Sequence, residues 1–238
     1  MGRWRHDFRD ALINYCPDMS MRLTNVIFDL DGTLVDSAPA ILTTFQGVLD
    51  KNGLTSKVTL DERLIGPPLP FALAKITGIE DASIIDGLIN DFKSVYDDQG
   101  VAATRCYPEI EQQLAIMHAR GLRLHVATNK RLLPTQRILE RLDLLRYFNE
   151  VYAIDRRTPS YASKMEMMAS LLADAGLPHG QSCYVGDRSE DAAAAKVNGL
   201  PFFLATWGYS DFETPKKEWR VLSSPEIMAD ILMDFDWI

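Results

Sequence analysis

The sequence predicts an α/β fold: a parallel sheet with helices on both faces, interrupted by an all-α segment. Five short apolar segments, each closed by small or polar residues, read as buried strands: Asn25–Asp29, Leu122–Thr128, Glu150–Ile154, Ser182–Gly186 and Pro201–Thr206. Near-continuous apolar strands are what a sheet covered on both faces requires. Helical patterns lie between them, the alternation that builds parallel sheets. From about Ala38 to Arg105 the pattern is helical throughout, with no convincing strand, so a helical insertion follows the first strand. Such sheets place ligands at the carboxyl ends of their strands.

Each element has a local reason. In the insertion, Ile41, Leu42, Phe45, Val48 and Leu49 make one apolar face, stopped by Asn52–Gly53. Thr59 and Glu62 have capping-box spacing, Gly66–Pro67–Pro68 forces a loop, and Ser83–Asp97 is helical again. Pro108–Arg120 carries Ile110, Leu114 and Met117 on one face and is followed by Gly121. Pro134–Leu142 begins with a proline, tolerated in a first turn. Ser163 and Glu166 repeat the capping-box spacing at the head of Ser163–Ala175, which ends at Gly176. Glu190–Val197 ends at Asn198–Gly199, and Ser224–Pro225 is an N-cap and first-turn pair. The expected division is an N-terminal appendage over 1–21, a helical insert over 38–105, and an α/β core over 22–37 and 106–238. In the appendage, Trp4, Phe8 and Leu12 have the spacing of a short amphipathic helix. Its mixed Arg and Asp residues, with no apolar run, suit neither a secretory signal nor a transit peptide.

Composition narrows the function. The 238 residues are 47% hydrophobic and 24% charged, which excludes disordered and collagen-like classes. Acidic residues outnumber basic ones 33 to 25, a net charge of −8, so nucleic acid is not an expected partner and no polybasic patch marks a membrane surface. No apolar run approaches the ~18 residues of a membrane span. Cys16, Cys106 and Cys183 are far apart and lack CxxC spacing, which argues for reduced thiols and a cytoplasmic protein rather than zinc or disulfides. A monomer or homodimer acting on a small molecule is the expectation.

Four groups of residues offer chemistry. The strand ending at Phe28 runs into Asp29-Leu30-Asp31-Gly32-Thr33-Leu34-Val35-Asp36-Ser37. Two carboxylates after an apolar strand are costly to bury without a cation or donors, and together they offer a nucleophile and a proton-transfer group. Thr128 and Asn129 end another strand and carry donors suited to an oxyanion. Lys164 stands at a helix start, where the dipole disfavours a cation. Asp187 and Asp191 are four apart across a strand-to-helix turn, and oxygen ligands suit magnesium. Read singly, each has an ordinary use: a turn, a strand end, a solvated lysine, an acidic helix cap.

Together, the nonapeptide and the groups that follow it resemble the motifs of the haloacid dehalogenase-type phosphohydrolase superfamily. From about Arg22 onward the chain is similar to the phosphoglycolate phosphatase-like branch, with a Rossmann-like core and a helical cap. The resemblance implies a Mg2+-dependent phosphatase acting on a small phosphorylated metabolite (phosphoglycolate-like, a nucleotide or a sugar phosphate) through an aspartyl-phosphate. It makes Asp29 the nucleophile and Asp31 the acid/base, and puts Thr128, Asn129 and Lys164 on the phosphoryl group. The metal would be held by Asp29, the backbone carbonyl of Asp31 and Asp187, with Asp191 a ligand or acting through a water and Glu190 a weaker candidate. Met165 follows Lys164 where proline is common, which leaves Arg156 and Arg157 as alternative cations, and Arg188 replaces a small polar residue. The loop Leu64–Leu69 resembles one that faces substrate, with Arg63 and Lys75 as possible leaving-group contacts. The aromatics of Trp207-Gly208-Tyr209 are expected to pack. Hinges for cap motion are expected at Val35–Pro39 and Ala102–Pro108. An acid at position 31 argues against carbon–halogen cleavage. Competing expectations are a β-phosphoglucomutase-like phosphomutase, a phosphonate hydrolase using a cap lysine such as Lys51 or Lys57, and a non-catalytic phosphate-binding module.

Overall fold

The computed structural model describes residues 22–235, so the helix considered for Trp4, Phe8 and Leu12 lies outside the described residues. The chain begins with β1 (Asn25–Phe28) and β2 (Val35–Asp36), followed by α1 (Ala38–Lys51), α2 (Leu69–Thr77), α3 (Ala82–Val95) and α4 (Val101–Ala103). It returns through β3 (Arg105–Cys106), α5 (Ile110–Ala119), β4 (Arg123–Thr128), α6 (Leu132–Arg141) and β5 (Phe148–Ala153). It ends with α7 (Lys164–Asp174), β6 (Ser182–Gly186), α8 (Ser189–Val197), β7 (Phe202–Ala205), β8 (Arg220–Leu222) and α9 (Met228–Met233).

Six strands form one parallel sheet in the order β5-β4-β1-β6-β7-β8. The pleat sends alternate residues to opposite faces. Val26 and Phe28 of β1, Leu124 and Val126 of β4, and Cys183 and Val185 of β6 enter the core under α5, α6 and α9. Ile27, Ala127 and Tyr184 enter the second core under α7 and α8. The five expected strands are all present, with ends within two residues of expectation. The added edge strand β8 is three residues long with two exposed, too little apolar pattern to announce itself.

The chain leaves the sheet through β2 and returns through β3, which pair as an antiparallel ribbon, Val35 with Cys106 and Asp36 with Arg105. This ribbon falls in the two stretches expected as hinges. Every element between β2 and β3 is helical. Among the described residues no helix is long and apolar enough to cross a membrane.

Local expectations were corrected at three helix starts. Thr59 and Glu62 do not form a capping box. Asp61 caps the short 3-10 turn Glu62–Leu64 by accepting from the Arg63 N–H at 3.0 Å, a local side-chain turn that outcompetes the longer reach. Helix α6 starts two residues before Pro134, because Asp155 from the next loop accepts the Leu132 N–H at 2.7 Å and caps it from outside. At α7, Ser163 accepts from the Glu166 N–H at 3.2 Å, but Glu166 reaches back to the Ala162 N–H instead of completing the box. Helix α2 went unrecognised beside the proline loop that precedes it.

His125, on β4, is 1% exposed, and neither ring nitrogen has a hydrogen-bond partner. Burial, aided by Arg123, pushes its pKa down to about 4. The unfolded chain therefore binds a proton that the folded chain refuses between about pH 6.5 and 4. Stability contributed by the neutral ring is complete above that window and is lost as pH falls through it, by about 3 kcal/mol. Urea unfolding at pH 7 and pH 4.5 checks this: the loss on acidification should be shallower in His125→Leu.

Candidate active site

The order β4-β1-β6 brings three strand ends side by side. Phe28 is in register with Val126 on one side and Val185 on the other. Asp29 and Asp187, just past β1 and β6, and Thr128, the last residue of β4, therefore meet at the carboxyl edge of the sheet. Glycine makes the approach possible. Gly32 has φ +81°, and a Cβ there would sit 2.2 Å from an Asp187 oxygen. A Cβ on Gly208 would sit 2.3 Å from the Gly32 carbonyl oxygen.

Asp29, Asp187 and Asp191 are all buried, and one carboxylate oxygen from each lies within 4.8 Å of the others. Asp187 accepts from the Tyr209 N–H at 2.7 Å and from the Thr33 hydroxyl at 3.3 Å. Asp29 Oδ1 lies 3.2 Å from Lys164 Nζ but accepts no hydrogen bond. Burial raises the Asp29 pKa to about 7 against the pull of Lys164. Burial, then the charges of Asp191 and Asp29, hold the Asp187 carboxyl well above the usual range. The cluster holds more negative charge than its one lysine neutralises. Buried, underpaired carboxylate oxygens are the donor set of a hard divalent cation, so the residues fit magnesium.

Lys164 sits at the start of α7, as expected, with its side chain 3% exposed. Burial works against its charge, but Asp191 and Asp29 outweigh it and raise its pKa. Its ammonium donates to Asp191 Oδ1 at 2.6 Å. The Tyr184 hydroxyl lies 3.3 Å from the same oxygen while donating to the Ala127 carbonyl at 2.8 Å, and Oδ2 accepts the N–H groups of Asp187 and Arg188 at 3.2 and 3.0 Å. Three donors therefore hold Asp191 in place beside Asp29 and Asp187. It aims Lys164 and ties the start of α8. The alternative cations lie elsewhere: Arg156 pairs with Glu150 at 3.1 Å, Arg157 pairs with Glu166, and both are exposed.

Asp31 accepts from the Ser37 hydroxyl at 2.6 Å and from Lys130 Nζ at 3.1 and 3.2 Å. Lys130 was not singled out in the sequence, although it directly follows Thr128 and Asn129. Its side chain is 7% exposed, and it also donates to the Tyr96 hydroxyl at 2.7 Å. Burial opposes its charge, yet Asp31 and Tyr96 hold its pKa above the usual lysine value. Tyr96 opens a π-turn, Tyr96–Gly100, and Gly100 has no Cβ where one would lie 2.2 Å from the Tyr96 ring. The helical insertion thus reaches the core's second carboxylate through one lysine. Lys130→Met is expected to lower kcat on an aryl phosphate by about 10²-fold with KM changed less than about threefold. Steady-state kinetics reads both.

A cleft of about 800 Å³ opens onto these groups, lined by Asp29, Asp31, Thr128 and Lys164 on the core side. Thr128 accepts the Lys130 N–H at 3.3 Å, which leaves its hydroxyl hydrogen for a ligand. Asn129 differs from expectation. Both of its amide hydrogens are spent, on the Gly66 carbonyl and on Glu190, each at 3.1 Å. It ties the loop Leu64–Leu69 to the core rather than offering donors to a phosphoryl group. Arg188 holds the same region, donating to the Glu62 and Tyr209 carbonyls at 3.3 and 3.1 Å. The loop does line the cleft, whereas Arg63, Lys75, Lys51 and Lys57 do not. Tyr209 does more than pack: its hydroxyl accepts the Ser37 and Ala38 N–H groups at 2.7 and 2.9 Å and donates to Asp36 at 2.9 Å, pinning the ribbon.

Comparison with known proteins adds an independent finding. Residues 26–205 match a family model described as haloacid dehalogenase-like hydrolase. The chain is 32% identical over 185 residues to the tyrosine-protein kinase PtkA of Mycobacterium tuberculosis, covering 77% of this chain and 62% of that protein. It is 29% identical over 247 residues to a phosphoglycolate phosphatase of Salmonella typhimurium, covering 91% of this chain and 92% of the relative. A crystal structure of a predicted phosphatase from Clostridium acetobutylicum superposes with a TM-score of 0.78 at 26% identity, covering 89% of this chain and 99% of that one.

Proposed function

The chain belongs to the haloacid dehalogenase-like hydrolase family, and from that premise we propose that it is a magnesium-dependent phosphatase hydrolysing a small phosphate monoester through Asp29. The observation that carries the reading is Asp29 itself: a buried carboxylate at the carboxyl edge of the sheet, open to the cleft, between Lys164 and Asp187. Buried polar groups are usually hydrogen-bonded, so a carboxylate oxygen left without a donor at this edge supports a role in chemistry.

In the proposed reaction Asp29 attacks phosphorus and the alcohol leaves with a proton from Asp31. Asp31 then takes a proton from water as that water attacks the aspartyl-phosphate, which releases inorganic phosphate and restores Asp29. Lys164 and the Thr128 hydroxyl hold the phosphoryl oxygens as charge moves onto them. Lys130 and Ser37 keep the Asp31 carboxyl in place between the two steps. Asp29, Asp187 and the backbone carbonyl of Asp31 would hold the magnesium ion, which when bound would supply positive charge favouring ionised Asp29 and a polarised phosphoryl group. Asp191, held by Lys164 and two backbone N–H groups, takes part as a further ligand or through a water.

Phosphate release from p-nitrophenyl phosphate tests the reading. Chelation with EDTA should lower turnover at least about tenfold, with recovery on adding magnesium. Turnover indifferent to chelation, or none in magnesium, overturns it. With a hexose 1-phosphate as substrate, free phosphate marks a hydrolase and hexose 6-phosphate a mutase.

A further inference from the structure

We infer that the cleft selects phosphate monoesters whose alcohol carries a flat aromatic or heteroaromatic ring, in preference to short acids or polyols. The inference rests on the phosphatase reading above and names its substrate class. The two walls of the cleft differ in kind. The core wall carries the charged groups already described. The opposite wall, from the helical insertion, is apolar: Phe45, Ile65, Pro67, Pro68, Phe71 and Ile89. Phe71, near the start of α2, is 71% exposed. A large aromatic left uncovered beside a binding site is the kind of surface a planar ring covers well.

The remaining polar groups on that wall fit the same ligand. Asp86, Asn90 and Lys93 line the cleft from α3, at spacings of four and three that share one face with Ile89. None of the three side chains has a hydrogen bond or ion pair among the described residues. They offer both donors and an acceptor, which suits the mixed edge of a heterocycle better than a lone carboxylate. The other cations of the cleft are committed: Lys164 to Asp29 and Asp191, Lys130 to Asp31, and Arg131 to Asp97. A volume of about 800 Å³ also suits a ligand well beyond a two-carbon acid.

The test compares kcat/KM of the full chain in magnesium for three ring esters (pyridoxal 5′-phosphate, flavin mononucleotide and a nucleoside 5′-monophosphate) with phosphoglycolate and glycerol 3-phosphate. Acetyl phosphate, which has no ring, reads the core chemistry. The expected result is one ring ester at least about tenfold above both ring-free esters, as base–aromatic stacking allows. Phe71→Ala should then lower the ratio of that ester to acetyl phosphate about tenfold, chiefly through KM, and Phe71→Tyr should restore it. A ring-free ester as the best substrate, or a Phe71→Ala variant that changes both rates equally, overturns the inference while leaving the phosphatase reading in place. Absence of turnover with every ester and with acetyl phosphate overturns both. Phe71 is exposed, so its loss leaves no cavity in the core.

Discussion

Asp29→Asn is expected to lower turnover of p-nitrophenyl phosphate by about 10⁴-fold or more, because it removes the one group able to form the covalent intermediate. Phosphate monoesters hydrolyse extremely slowly without a catalyst, so no background reaction hides the loss. The same variant should unfold at an equal or higher urea concentration than the parent when both are free of metal. Asp29 is buried, its Oδ1 accepts no hydrogen bond, and burial raises its pKa to about 7. Removing that charge relieves a desolvation cost. Loss of activity with a kept or raised stability identifies a residue retained for chemistry, whereas loss of both would make Asp29 a structural carboxylate. The magnesium-induced rise in melting temperature should shrink in this variant, since a favoured ligand oxygen is gone.

Lys164→Met should damage both properties. Breaking a buried ion pair by removing one partner typically costs about 3–5 kcal/mol, and Lys164 faces two carboxylates, Asp29 and Asp191, at 3.2 and 2.6 Å. Equilibrium urea unfolding should show a large fall in stability at pH 7.5. Turnover should fall about 10²–10³-fold for loss of a charged group that meets the phosphoryl oxygens. The double variant Asp29→Asn/Lys164→Met separates the two effects. Because the residues touch, their stability changes should not add: the double variant should be more stable than Lys164→Met alone. Additive losses would mean that the lysine stabilises the fold through something other than its pairing with Asp29.

Much of the molecule was legible beforehand because its signals are local. An apolar run of four to six residues states a buried strand by itself, and Ser163 before α7 states a helix start. The candidate carboxylates Asp29 and Asp31 were legible as a motif, since nine consecutive residues carried the resemblance. Three features of the site depend on partners distant in sequence. Lys130 and Tyr96 are 34 positions apart and meet only when the insertion folds over the core. Asn129 has donors suited to an oxyanion, yet Gly66 and Glu190, each more than 60 positions away, take both. Asp191 has a ligand's chemistry and lies within 4.8 Å of Asp29 and Asp187, where Lys164 and two backbone N–H groups hold it.

The sequence by itself therefore determined the α/β class, and it pointed to the helical insertion and to Asp29, Asp31, Lys164 and Asp187 as the candidates that the fold brings to the carboxyl edge of the sheet. Those depend on periodicity and on short motifs, which are properties of neighbouring residues. Only the tertiary structure decided which polar atoms remain free for a ligand and which are used up. A hydrogen-bonding group has a fixed number of donor and acceptor positions, and what fills them is set by whichever groups the fold brings within about 3 Å.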